Sequence, residues 1–277
     1  MLDPRMTTLA DGLINHSTRL QAGEHLLIEA FDVPEAMVVA VIRAARSVKA
    51  HPHVIIRSAR ISRALVEDGD DEQFKTMADT DLHRMKQMDA YIGLRGGMNA
   101  SEAAGIPNDR LQAWGRLYGQ PVHMQERVKR TRWCVLRWPT PSMAQLAGQG
   151  TEPFEDFFFD VCTLDYAAMA DAADTLRVRM AAADAVHLKG PGETDLRFSL
   201  KGIDAVPCTG SHNIPDGEVF SAPVRDSVNG VIAFNTPSMY HGHAFKNVRL
   251  VFQDGKVVEA TADQGQEHLN AIFDTDE

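Results

Sequence analysis

The chain has 277 residues, 44% hydrophobic and 24% charged, a mixture that excludes intrinsic disorder and suits one large or two smaller globular domains. Its 28 Lys and Arg stand against 38 Asp and Glu, a net charge of −10, which opposes nucleic acid or an anionic membrane surface as a partner. Three widely spaced cysteines, Cys134, Cys162 and Cys208, build neither a disulfide framework nor a Cys-rich zinc ribbon, and no apolar run reaches the ~18–20 residues that span a bilayer, so a cytoplasmic location is expected.

Leu26-Leu27-Ile28 reads as a buried strand. A helix follows, with Asp32 as its expected cap, Pro34 in its first turn, and Met37, Val38, Val41, Ile42, Ala45 and Val48 at helical spacing. Val54-Ile55-Ile56 reads as a second buried strand. Strand, helix and strand within some thirty residues make a βαβ unit with parallel strands covered on both faces. Polar helices near Ala64–Glu67 and Asp71–Met88, a strand over Ala90–Leu94, a helix over Pro107–Tyr118 and a strand over Arg132–Trp138 continue the pattern. The Ala-rich helix Leu164–Ala183 and the strand Ala185–Lys189 are expected to close this sheet. Cys134 should be a small buried hydrophobe.

Beyond residue 190 the period changes. Thr194–Leu200 alternates strictly, and Val248–Phe252 and Lys256–Ala260 flank Asp254-Gly255, a strong hairpin signal. The expected fold class is therefore α/β, with an open, mainly parallel N-terminal sheet and a β-rich antiparallel C-terminal portion. The domains are read as residues 1–185 and 186–277.

Ile214-Pro215-Asp216-Gly217 is turn chemistry, since Pro presets φ and Gly ends the turn. Glu218 then opens an extended segment, so its carboxylate is held on a stiff element beside a tight bend, as a metal ligand or general base should be. Read from spacing alone, an exposed Glu after an ordinary turn is the competing explanation.

The segment NIPDGEVFSAP (Asn213–Pro223), followed by DSVNGVI (Asp226–Ile232), resembles the signature of the thermophilic-type metallo-aminopeptidases, the leucyl aminopeptidase or aminopeptidase T family. PGETDLRFSLKG (Pro191–Gly202), the hairpin NVRLVFQDGKVVEATA (Asn247–Ala262) and the helix leading into FDTDE are similar to that family in kind and order. The resemblance implies a cytosolic exopeptidase, typically a homodimer. Two divalent ions (zinc, cobalt or magnesium) would activate a shared water and polarise the scissile carbonyl of a peptide substrate. It also implies that Glu218 is a metal ligand, with Asp226 and Asn229 as a supporting shell from their place in the matched segment. His212, six residues before Glu218, is a further candidate for that shell by closeness in sequence alone, against the ordinary reading of a polar loop residue. The family's other ligands, a second Glu, two His and an Asp, and its catalytic Tyr follow the helix at Gln264–Phe273. No catalytic residue is therefore identified within this chain, which is expected to be truncated or to have lost the parent activity. Truncation would leave Leu269, Ile272 and Phe273 exposed.

Other candidates read as ordinary structure. Tyr240-His241-Gly242-His243 is expected to be a solvated loop, because Gly weakens a strand interior, and His51 and His53 to pack at the edge of the core. Gly93–Asn99 follows a strand but lacks the spacing of a phosphate-cradling loop, although it stands where open α/β sheets gather ligands. There is no Gly-x-Ser-x-Gly elbow. Two further readings compete with the peptidase: a non-catalytic fragment or small-molecule-binding α/β module that keeps only the scaffold, and a nucleotide- or amino-acid-binding protein that uses the Gly93–Asn99 loop.

Overall fold

Asp3 caps the first helix, Pro4–Gly12 (α1), by accepting the Arg5 N–H at 2.9 Å. This is the start of a computed structural model that describes residues 3–240 and 243–273. A wide π-type turn over Leu13–Ser17 leads to His25–Phe31 (β1), Glu35–Ser47 (α2) and His51–Arg57 (β2). Next come Ala59–Glu67 (α3), Asp71–Met85 (α4), Ala90–Arg95 (β3) and Asn108–Trp114 (α5). A π-type helix over Gly115–Arg127 runs into the single turn Val128–Arg130 (α6) and the strand Arg132–Arg137 (β4). Pro141–Leu146 (α7), Thr151–Cys162 (α8) and Tyr166–Ala181 (α9) follow. After Ala185–Lys189 (β5), Asp195–Ser199 (β6) and Val206–Cys208 (β7), the two-residue strand Asn213–Ile214 (β8) returns to the first sheet.

That sheet is parallel throughout, in the order β2-β1-β3-β4-β8. Its alternation sorts side chains onto two buried faces. Leu26, Ile28, Ala30, Ile92, Leu94, Cys134 and Leu136 pack with Leu9, Val41, Phe158 and Phe159 of α1, α2 and α8. Leu27 and Tyr91 point the other way, against Ala78, Met85, Tyr118 and Val122 of α4 and the π-type helix. Cys134 is fully buried, as its neighbours predict, and burial pushes its thiol up to about 12.

Three expectations fail here. Strand β5 does not close the parallel sheet; it pairs antiparallel with β6, and β8 takes the closing position beside β4. A two-residue strand carries no periodicity, and the choice of partner is a long-range property. Strand β2 is an edge, not a buried strand, with Val54 and Ile56 exposed at 39% and 67%. Asp32 does not cap α2: it sits at φ +47 and its carboxylate accepts the Ala59 N–H at 2.7 Å, at the start of α3.

The described residues form two compact units. The first runs to Ala170 and regains Cys208–Gly217; the second comprises Asp171–Pro207 and the chain from Glu218 onward. The boundary thus falls within α9 rather than near residue 185, and the chain crosses it three times.

In the second unit Glu218–Phe220 (β9) pairs with β7. Asn229–Ala233 (β10), Ser238–Tyr240 (β11), His243–Phe245 (β12), Arg249–Gln253 (β13), Lys256–Thr261 (β14) and Gln266–Phe273 (α10) complete it. Its main sheet is antiparallel, ordered β14-β13-β10-β6-β5. The β13–β14 hairpin turns on Asp254 and Gly255, both at positive φ (+47 and +80), as Asp-Gly predicts. The turn docks on the 3₁₀ turn Arg225–Ser227 and the start of β10: the Gly255 N–H reaches Val228 O at 2.9 Å and the Asp254 N–H reaches Asn229 Oδ1 at 3.0 Å. Leu269, expected to be exposed, is only 5% exposed, while Phe273 is 37% exposed.

A Cβ on residue 255 would fall 1.8 Å from Arg225 O. Gly255→Ala is therefore expected to destabilise the second unit by about 2 kcal/mol or more, combining a strained φ with a backbone clash. Comparing denaturant-unfolding midpoints of variant and parent checks this.

Candidate functional site

Glu218 stands where its sequence neighbours put it, exposed at the first position of β9 after Gly217. The bend before it is well built. Asp216 accepts the Gly210 N–H at 2.8 Å, and its own N–H donates to the Tyr166 hydroxyl at 3.2 Å, which in turn donates to Val161 O. His212 belongs to the first unit, packs its ring on Trp133 at 4.7 Å, and offers its carbonyl to the Val135 N–H. Asp226 lies in the 3₁₀ turn, and Asn229 steadies the hairpin tip. Within the second unit, no hydrogen bond or ion pair joins Glu218 to Asp226 or Asn229 among the described residues. Nor do three His, Cys, Asp or Glu side chains converge anywhere among them as a metal would require.

The histidines read in the sequence have other surroundings. His51 and His53 are exposed at the amino end of the parallel sheet, not packed at the core edge, and His53 Nε2 lies 2.9 Å from His25 Nδ1. His243 opens β12 and stacks on His268, with centroids 3.5 Å apart. His241 and Gly242 lie outside the described residues.

The densest polar chemistry lies elsewhere, in the first unit. The sheet order reverses between β1 and β3, the switch point at whose carboxyl ends open α/β sheets bind ligands. Glu29 sits there in β1, 3% exposed. Its Oε1 accepts from Arg57 Nε at 2.7 Å, and its Oε2 accepts from Arg95 Nη2 at 2.7 Å and from the Tyr91 hydroxyl at 2.6 Å. Arg57 continues to Asp81 at 2.5 Å and to the Tyr118 hydroxyl at 3.0 Å, and Tyr118 donates to the same Asp81 oxygen at 2.7 Å. Register explains the convergence. Gly93 lies directly opposite Glu29, and a Cβ there would stand 3.0 Å from the Tyr91 ring and 3.2 Å from Arg95 Nη2. Its missing side chain leaves the space through which both reach the carboxylate.

Burial alone would raise the Glu29 carboxyl, but Arg95, the Tyr91 hydroxyl and Arg57 outweigh it and hold the group at about 2. Burial takes His123 down to about 4, against the opposing pull of Glu29, so its ring is neutral at pH 7. Of the expected Gly93–Asn99 loop, Gly93–Arg95 belong to β3 and the loop begins at Gly96, whose N–H is fixed on Phe31 O at 2.7 Å. Sequence reasoning passed over Glu29, Arg57 and Tyr118. The available signal was a lone carboxylate inside the apolar run His25–Phe31, with Arg closing each neighbouring strand.

Two outcomes follow. Glu29→Ala strands two partly buried guanidiniums and is expected to cost about 3–5 kcal/mol in denaturant unfolding. For pH, both groups have folded values below their unfolded ones. The His123 contribution is complete above 6.5 and is lost as pH falls through 4; that of Glu29 is complete above 4.5 and is lost as pH falls through 2. Urea midpoints between pH 7 and 3 should therefore decline in two stages, with His123→Phe removing the upper and Glu29→Gln the lower.

Aminopeptidase 2 of Geobacillus stearothermophilus is 43% identical over 65 residues, 24% of this chain and 16% of that protein. Aminopeptidase AmpS of Bacillus subtilis is 33% identical over 102 residues, 34% of this chain and 25% of that protein. The matched segments thus span a quarter or less of these relatives. The structure of wild-type AmpT from Thermus thermophilus aligns with a TM-score of 0.81 at 20% identity, over 100% of this chain and 76% of that one, a likeness of fold. The family model of the thermophilic metalloproteases, M29, matches residues 2–277. The chain belongs to the thermophilic metalloprotease family M29.

Proposed function

We propose that this protein acts as a metallo-aminopeptidase, releasing N-terminal residues from peptides, and that Glu218 is one of its metal ligands. The observation that carries the reading is the family match over residues 2–277, which includes the Glu218 segment. The aminopeptidases among its relatives support it. Asp226, Asn229 and His212 are proposed as supporting residues around that ligand, and a homodimer in the cytoplasm as the working form. No helix among the described residues is long and apolar enough to cross a membrane.

The chemistry this reading implies is a water activated between two divalent ions, zinc, cobalt or magnesium. The described residues do not fit such a pair: one carboxylate cannot hold a catalytic ion that typically takes three protein ligands, and no three-donor cluster is present among them. Donors beyond that set would be needed. The same observation favours a second reading, a scaffold that keeps the fold and binds small molecules without hydrolysis.

One experiment separates the two. The protein is incubated with zinc, cobalt or magnesium, its retained metal is measured, and release of leucine from Leu-Gly-Gly is followed. The peptidase reading expects retained metal and turnover, with Glu218→Gln lowering kcat/KM about a hundredfold, roughly 2.7 kcal/mol of transition-state stabilisation. Turnover unchanged in that variant would remove Glu218 from the metal site. Neither metal nor leucine release would favour the scaffold.

A further inference from the structure

We propose that the cavity over the carboxyl ends of β1, β2 and β3 is a binding site for a small monocarboxylate with an apolar or aromatic body. It lies wholly within the first unit and does not rest on the peptidase reading. The cavity holds about 190 Å³, the volume of roughly six liquid waters, which suits one small organic acid and is too small for a folded peptide segment. Its position at the β1/β3 switch point is where open α/β sheets take ligands.

The walls divide into two chemistries. Trp114 and Tyr118 stack with centroids 4.1 Å apart, and Met77, Leu65 and Phe31 complete an apolar lining. The polar wall is rich in donors and short of acceptors. Both Glu29 oxygens already accept hydrogen bonds from Arg57, Arg95 and Tyr91. Arg57 and Arg95 line the cavity, yet Arg57 Nη1 and Arg95 Nε have no hydrogen-bond partner among the described residues. His123 adds a third donor: its Nδ1 accepts from Arg127 Nε at 3.3 Å, so the proton of the neutral ring sits on Nε2.

Charge points the same way. On the cavity wall two cations, Arg57 and Arg95, face one carboxylate, Glu29, and behind it Asp81 pairs with Arg57 while Arg127 has no carboxylate partner among the described residues, leaving one positive charge in excess. Arg127 lies between the Tyr91 and Trp133 rings, at 5.0 and 4.7 Å, and its buried Nη1 has no hydrogen-bond partner among the described residues. One ligand carboxylate would balance the excess and accept from the idle donors, since planar guanidinium edges match carboxylate geometry. An ammonium would have to share the Glu29 oxygens with Arg57, Arg95 and Tyr91, which already donate to them.

Titration calorimetry with phenylacetate tests the site, with acetate and phenylacetamide as controls lacking the ring and the charge. Phenylacetate is expected to bind at one site per chain, at least about tenfold more tightly than either control, a difference of roughly 1.4 kcal/mol. Ser62→Phe, which fills the cavity from α3, should abolish binding. Arg95→Lys, which keeps a cation beside Glu29 but loses the planar fork, should weaken it about tenfold, so a variant that fails to fold does not leave the question open. No saturable phenylacetate binding, equal binding of phenylacetamide, or undiminished binding in folded Ser62→Phe or Arg95→Lys would overturn the proposal.

Discussion

A carboxylate buried at the third position from the end of β1 organises the polar chemistry on one face of the parallel sheet. Glu29 is tolerable there only because Arg57, Arg95 and Tyr91 each give it a hydrogen bond, since an isolated charge in such a place would cost several kcal/mol. Those partners come from β2 and β3, the two neighbours of β1, so the network ties the three strands together. Replacing all of its members with well-packed apolar residues could be neutral for stability. The cavity and the surplus of donors beside it therefore speak to use as well as to folding.

The second unit follows a different logic. Its order rests on a docked hairpin tip, where Gly255 and Asp254 meet the backbone of Val228 and the side chain of Asn229. Asn229, read from the sequence as a possible neighbour of a metal, has a clear mechanical duty there. Glu218 carries the opposite profile: it is exposed at the start of a short strand, and its side chain has no hydrogen bond or ion pair among the described residues. Its exposure leaves the carboxylate open to a ligand, as the role proposed for it requires, but does not assemble the rest of that chemistry.

Local signals made much of this fold legible. The apolar periodicity of α2, the runs of β1 and β3, and the Asp-Gly hairpin each act over a few residues, and each appears where its pattern lies. What escaped depended on distant pairing. Strand β5 has the same short apolar character whether it closes a parallel sheet or edges an antiparallel one, and β8 is too short to show any period. Val54 and Ile56 look like core residues, and only the strand order reveals that β2 is an edge. Asp32 has the right residue type for a cap but serves α3, because its positive φ turns the carboxylate toward Ala59. The Glu29 network was hidden for a related reason: its residues are spread from position 29 to position 127, and only register and the empty space at Gly93 bring them together.

The return of Cys208–Gly217 to the first unit has a consequence for biosynthesis. As the polypeptide leaves the ribosome, β4 appears with one edge open and must wait for some eighty further residues before Asn213 and Ile214 arrive. A chain stopped near residue 185 would never supply them, and would lack the Asp216 contact that fastens Tyr166 as well. Nascent chains of that length would present a bare strand margin to their neighbours, a hazard that holdase chaperones exist to shield.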